Sequence, residues 1–261
     1  MDLFGSIFVF FAGLWAGTIN SVVGSGTLVT FPVLIALGFA PVTASISNAT
    51  GLVAGNAAGA WGYRKELAGR RSQLIRLLPA SLLGGITGAY LLLHLPEVVF
   101  QYAAPALIVL ALLMVAFQPR LQRWVQNRES DPETAARDKR HSGLLVVLVY
   151  LAGVYGGYFV AAQGILLVGI LGVFMAGTIQ NANAMKNILV LGVNIVAAAS
   201  YLLFAFDRIS WPAVGLIAVS SLIGGFIGSK VGRRLPPAVL RGVIFTLGLV
   251  ALGFMIAKLV N

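Results

Sequence analysis

The residues of this chain whose types could do chemistry are neutral hydrogen-bond donors and one lysine, set inside apolar sequence. Asn20, Ser21, Ser25 and Thr27 surround a glycine pair, Gly24 and Gly26, in the stretch INSVVGSGT at 19–27. Gln163 and Gly164 close a second patch, AAQG at 161–164. Asn183, Asn187 and Asn194 fall within about 40° of one another on a helix turning about 100° per residue, so they form a polar stripe on one face. Lys186 lies one position from that stripe, and Ser45, Ser47, Asn48 and Thr50 occupy an equivalent segment in the first half. Donors with one positive charge and no carboxylate describe a site for a small anion. A helix starting at Gly26 or Gly164 would add free N–H groups and about half a positive charge at its first turn. The bland alternatives are helix packing for the glycines, interhelical hydrogen bonding for the asparagines, and snorkelling to the membrane interface for Lys186.

Other chemistries lack their residues. The eight acids, Asp2, Glu66, Glu97, Glu129, Asp131, Glu133, Asp138 and Asp207, all fall at ends or in loops. Proton or sodium coupling through a carboxylate inside the membrane therefore has no candidate. His94 and His141 are far apart in the chain and flank loops, and there is no cysteine. No catalytic constellation, metal site or cofactor motif results, and the chain reads as a non-enzyme.

The elements that must hold the donors are membrane helices. Of 261 residues, 59% are hydrophobic and 10% charged, and the mean hydropathy is +0.93. Soluble domains carry about 25% charged residues. Apolar runs near or above about 20 residues suit a helix crossing a core of about 30 Å. The segments expected are 4–22, 26–39, 43–62, 77–94 and 99–117, then 143–160, 164–177, 182–204, 211–229 and 239–258. Segments 26–39 and 164–177 are short for a full crossing and start at the polar patches, which predicts two broken or re-entrant pairs. Irregular backbone at that depth has to line a cavity or meet a ligand. Met1-Asp2 runs straight into apolar sequence, so 4–22 reads as a membrane segment and not a removable signal.

The net charge of +10 does not point to nucleic acid, because fifteen of the 18 basic residues sit in three connections. These are Arg64, Lys65, Arg70, Arg71 and Arg76; Arg120, Arg123, Arg128, Arg137, Lys139 and Arg140; and Lys230, Arg233, Arg234 and Arg241. Under the positive-inside rule loops 64–76, 118–142 and 230–241 are cytoplasmic, which puts both termini outside an inner-membrane protein. Trp15, Trp61, Trp124 and Trp211 read as interface anchors or packing.

The chain also contains two copies of one unit. SLLGGITG at 81–88 returns as SLIGGFIG at 221–228, Leu95-Pro96 as Leu235-Pro236, and Gly13-x-x-x-Gly17 as Gly153-x-x-x-Gly157. With small gaps, Gly26 matches Gly164 and Asn48 matches Asn187. Corresponding loops differ in charge: 64–76 is basic while its counterpart near 205–210 holds Asp207 and Arg208, and 95–99 carries Glu97 while its counterpart, 230–241, is basic. The expected fold class is an all-α integral membrane protein of two inverted-topology repeats, each of about five helical segments including a broken pair. Residues 1–117 form the first repeat, 118–142 a solvated cytoplasmic linker and 143–261 the second repeat.

The stretches GTINSVVGSGTLVTFPVLIALGFAPVTASISNATG (17–51), GVYGGYFVAAQGILLVGILG (153–172), AMKN (184–187) and SLIGGFIGSKVGRRLP (221–236) resemble the TauE/SafE sulfite exporter family, over essentially the whole chain. The resemblance implies transport of sulfite, sulfonates or related organic anions, often outward, and its second-half lysine matches Lys186. Family members commonly carry three or four glycines at each break. Here the breaks read Gly24-Ser25-Gly26 and Ala161-Ala162-Gln163-Gly164, and Ala49 stands where some members have a first-half lysine. Two other functions fit the composition: an anion channel using the same site, and a non-transporting membrane scaffold.

Overall fold

The computed structural model describes residues 1–128, 142–175, 178–230 and 237–260, and among these the protein is helical, without a strand. In chain order the helices are α1 (Leu3–Val22), α2 (Thr27–Ala36), α3 (Pro41–Gly62), α4 (Arg71–His94), α5 (Glu97–Arg128), α6 (Ser142–Phe159), α7 (Gln163–Phe174), α8 (Ile179–Phe204), α9 (Trp211–Lys230) and α10 (Pro237–Val260). Short 3₁₀ turns at Arg64–Leu67 and Phe206–Arg208 join α3 to α4 and α8 to α9. The expected linker is partly helical: α5 runs on to Arg128, so residues 118–128 extend the helix. Residues 129–141 of the linker, with Arg137, Lys139 and Arg140, lie outside the described residues, as do Arg233 and Arg234 of the third basic connection, while Ser142 already opens α6.

Local signals set several boundaries. Asp2 caps α1 by accepting the N–H of Gly5 at 2.8 Å, Pro41 opens α3, and Thr178 and Asn181 form a reciprocal capping box on α8. Helices α1, α4, α8, α9 and the Glu97–Arg120 part of α5 are long and apolar enough to cross a membrane. Their outer faces expose Phe4, Phe8, Leu83, Tyr102 and Leu203, apolar surface that only lipid or a partner solvates favourably. Helix α3 is of similar length but more polar, and its Ser45, Ser47, Asn48 and Asn56 are buried. Helices α2 and α7 have 10 and 12 residues, about 15 and 18 Å at 1.5 Å per residue.

In lipid, helices associate through close van der Waals packing, which small residues permit. That is how the repeated motifs of the two halves are used. A Cβ at Gly17 would stand 2.8 Å from Ser221 Cα, and one at Gly228 would stand 2.9 Å from Thr18 Cα. A Cβ at Gly84 would lie 3.0 Å from Gly153 Cα, and one at Gly88 2.8 Å from the Gly157 carbonyl carbon. Residue numbers rise together along both contacts, so α1 runs parallel to α9, and α4 parallel to α6. The same ordering holds for α3 against α9, where Gly51 meets Val214 and Gly55 meets Ser221. It holds again for α4 against α8, where Ser81 lies by Leu189 and Gly85 by Val193. Because the short turn at Arg64–Leu67 reverses the chain, α1, α3 and α9 run one way and α4, α6 and α8 the other. These four pairs, α1 with α9, α4 with α6, α3 with α9 and α4 with α8, are the most extensive helix contacts among the described residues.

Candidate functional site

Two interrupted helix pairs form the centre of the site. Helix α1 stops when the Val23 and Gly24 amides both donate to the Ile19 carbonyl, at 2.7 and 3.2 Å, and Gly24 then turns the chain with φ of 91°. Glycine enters this left-handed region without steric penalty. The second break is made differently. Val160 and Ala162 take φ of 60° and 59°, a conformation costing an L-residue about 1–2 kcal/mol each. Helix α7 accordingly starts at Gln163 with Ala162 as its N-cap, one residue before the expected start at Gly164.

Gly26 and Gly164 have ordinary helical backbone, and contact accounts for both. A Cβ on Gly164 would stand 2.5 Å from Gly24 Cα, and one on Gly24 would stand 2.6 Å from Gly164 Cα. The two breaks therefore touch, backbone against backbone. Gly26 fits against the Ala16 carbonyl of α1 in the same manner.

Lys186 ties these pieces together. It is fully buried and does not snorkel. Its stem passes Gly164, whose added Cβ would meet the lysine Cδ at 3.0 Å. Its Nζ donates to the carbonyls of Asn20 at 3.0 Å and Ser21 at 3.4 Å. These carbonyls belong to the last turn of α1, where the helix dipole favours a cation. An ammonium has three donors, and the third meets no partner among the described residues; nor does any carboxylate there pair with it. Asn187 supports the same turn, its Nδ2 donating to Ser21 O at 3.3 Å.

Asn20 organises the first break. Its Oδ1 accepts the Gly26 N–H at 3.2 Å, which satisfies a donor at the start of α2 that no intrahelical bond reaches. Its Nδ2 donates to Asn56 Oδ1. Beside this, Asn48 of α3 binds α2, donating to Thr27 Oγ1 at 3.1 Å and accepting from Thr30 Oγ1. Asn56, Thr30 and Gly59, on the last of which a Cβ would stand 3.2 Å from Ser21 Cβ, extend the set expected from sequence. Asn56 follows Asn48 by eight residues, about 80° around the helix, and that spacing is the signal that could have found it.

Several buried polar atoms at the breaks are uncommitted among the described residues. They are Ser25 Oγ and both amide atoms of Gln163, with Asn183 Oδ1 and both amide atoms of Asn194 further along. Buried polar groups are nearly always hydrogen-bonded, so these atoms hold hydrogen-bonding capacity that the described residues do not use. Asn183 does not join the Lys186 bonds, Asn194 lies further along α8, Ser47 accepts the Ser210 N–H and Thr50 bonds its own helix at the Ile46 carbonyl; Asn20, Ser21, Gly24, Ser25, Gly26, Gln163, Gly164, Lys186 and Asn187 gather at the breaks, and Thr27 and Asn48 at the adjoining α2–α3 contact. The arrangement offers ammonium, amide and hydroxyl donors in a closed, low-dielectric setting, which suits an oxyanion.

A sequence model of the family described as Sulfite exporter TauE/SafE matches residues 9–255. Escherichia coli (strain K12) has a relative named Probable membrane transporter protein YfcA, 26% identical over 247 residues that cover 90% of this chain and 85% of the relative. The Probable membrane transporter protein ORF9 of Sinorhizobium sp. is 25% identical, covering 87% of this chain and 81% of its own. A Probable membrane transporter protein of Haemophilus influenzae is 24% identical, covering 85% and 83%. No solved structure matches significantly. With its apolar spanning helices and a match across nearly its whole length, the chain belongs to the TauE/SafE sulfite exporter family of multi-pass membrane transporters.

Proposed function

We propose that this protein is a secondary transporter of a small anion, such as sulfite, a sulfonate or a related organic anion, working by alternating access. The observation that carries the reading is Lys186, a cation fully buried without a carboxylate partner among the described residues. An uncompensated buried charge costs several kcal/mol, on the order of 3–5 when a partner is missing, and a bound anion offsets that cost. In this reading Lys186, Gln163 and Ser25 hold the anion. Gly24, Gly26 and Gly164 let the two breaks close on each other beside it, and Asn20, Ser21, Thr27, Asn48 and Asn187 brace the helices around it.

The halves 1–117 and 143–261 act as inverted repeats rocking against one another across 118–142. Support comes from the opposite directions of α1, α3 and α9 and of their counterparts α6, α8 and α4. Two faces follow. Glu97 and Arg208 pair at 3.3 Å on one, and the Asn181 Nδ2 bond to Glu66 O at 2.7 Å lies at the other, with the basic turn 64–67. We assign the basic face to the cytoplasm of a cell inner membrane, with both termini outside. An inside-negative potential then favours anion exit by about 2.3 kcal/mol per charge per 100 mV, which supports export without a coupling ion.

The test is charge movement in proteoliposomes challenged with sulfite, sulfate, thiosulfate, short sulfonates, short carboxylates and chloride. A saturable current for one sulfur anion, with exchange and lost in Lys186→Ala, is expected. Flux that neither saturates nor exchanges makes the protein a channel, and flux untouched by Lys186→Ala removes the site.

A further inference from the structure

Outside the central site the protein has a second cationic feature, at the end of α3. The turn Arg64–Leu67 and the first turns of α4 border a surface pocket of about 490 Å³, whose lining combines the cationic Arg64, Lys65 and Arg71 with the apolar Leu67, Leu74, Ile75 and Ile188. Arg64 is fixed in place. Its guanidinium sits 4.2 Å from the centroid of the Trp61 ring, and Nη1 donates to the Trp61 carbonyl at 2.8 Å. Trp61 is 61% exposed, the setting of an aromatic at a membrane interface. Lys65 and Arg71 are exposed and pair with no acid among the described residues; Glu66, the acid of this turn, does not line the pocket. Helix α4 begins at Arg71 without a side-chain cap, so its N-terminal dipole adds to the positive field.

We propose that this pocket binds the phosphate headgroup of an anionic phospholipid. Arg64, Lys65 and Arg71 take the phosphate, while Leu74, Ile75 and Ile188 line the first part of an acyl chain. Charge complementarity favours an anion, and the apolar wall decides its source. A free inorganic anion gains nothing from Leu74, Ile75 and Ile188, whereas a lipid covers them and removes exposed Ile75 from water. Arginine suits the task through its forked donors, several of which remain after the single bond to Trp61. Basic pockets between membrane helices are a recurring form of headgroup recognition. The inference stands whatever the central site transports.

The experiment is native mass spectrometry of the full chain, released from nanodiscs of phosphatidylcholine mixed with phosphatidylglycerol. Wild type is expected to retain phosphatidylglycerol in preference to phosphatidylcholine. Retention is expected to fall several-fold in Arg64→Gln/Arg71→Gln and to persist in Arg64→Lys/Arg71→Lys. Arg123→Gln, an exposed basic position on α5 outside the pocket, is expected to leave it unchanged. Undiminished retention in the glutamine variant overturns the proposal, as does an equal fall in Arg123→Gln. Inorganic phosphate is added against chloride of equal ionic strength. Lipid that stays bound supports the headgroup assignment, and lipid stripped by phosphate alone makes the pocket a free-anion site and overturns it.

Discussion

Gly24 and Gly164 stand backbone to backbone, so that a Cβ on either would lie 2.5 to 2.6 Å from the α-carbon of the other. The contact joins the break after α1 to the start of α7, which places Lys186 against both. Gly24→Ala meets two penalties, its φ of 91° and the overlap with Gly164. Gly38 has φ of 87° with nothing near its missing Cβ, so Gly38→Ala meets the first alone. Gly24→Ala is therefore expected to lose about 1–3 kcal/mol more stability than Gly38→Ala. Thermal unfolding in detergent measures the difference, and anion flux should survive only in the Gly38 variant. Equal losses would show that the breaks can part without consequence.

Ala162 tests the other break. With φ of 59° it carries about 1–2 kcal/mol of backbone strain. Glycine relieves that strain but gives back about 0.4–1 kcal/mol by freeing the unfolded chain. Ala162→Gly should therefore gain up to about 1 kcal/mol, and Ala162→Val should lose stability. Both are read from unfolding midpoints. A destabilised glycine variant would mean that the left-handed turn costs little here.

Much of this was legible in the sequence because a polar side chain inside an apolar helix is expensive and needs a reason. Asn20, Asn48, Lys186 and Asn187 declared themselves in this way, and all four bind across helices. The repeated glycine motifs were legible too, since their spacing fixes one helix face, although which helix that face meets was not written locally. The touching of Gly24 and Gly164 has no local signature at all, being a contact between points 140 residues apart. Val160 and Ala162 gave no warning, because neither residue type favours positive φ. Helix α5 overran its expected end at 117 since hydropathy marks the edge of lipid, whereas backbone hydrogen bonds continue into water.

Asn20 and Asn56 should behave as one unit. Removing Asn20 leaves the Gly26 N–H without its acceptor and strips Asn56 of its donor. Asn20→Ala is expected to cost about 1–3 kcal/mol and Asn56→Ala less. The double variant should cost little more than Asn20→Ala, because the shared bond is lost only once. A cycle of unfolding free energies reads this, and strict additivity would mean that the two side chains act separately.

Gln163 is fully buried with neither amide atom bonded among the described residues. If those atoms serve an anion, Gln163→Met should exchange function for stability. Losing an unsatisfied buried amide is expected to raise unfolding stability by about 1 kcal/mol or more, while KM for the transported anion rises and the maximal rate changes little. Unfolding midpoints and concentration-dependent flux test both halves. A variant less stable than wild type with unchanged KM would mark Gln163 as packing alone.

Lys186 admits a structural role, since its ammonium holds the last carbonyls of α1, and one substitution separates that role from anion binding. Lys186→Met keeps the stem that passes Gly164 and removes the charge. If the lysine is chiefly a clamp on α1, the variant loses two charge-assisted bonds, worth about 1.5–3 kcal/mol each, and added anion still stabilises it. If the lysine is the anion's partner, the variant without anion is at least as stable as wild type, because a buried unpaired charge has gone. The stabilisation that wild type gains from anion, about 2.7 kcal/mol at a hundred times Kd, is then absent. Paired unfolding curves with and without the transported anion decide. We expect the second pattern, because no carboxylate among the described residues balances this charge and the breaks on either side of it hold donors still unused.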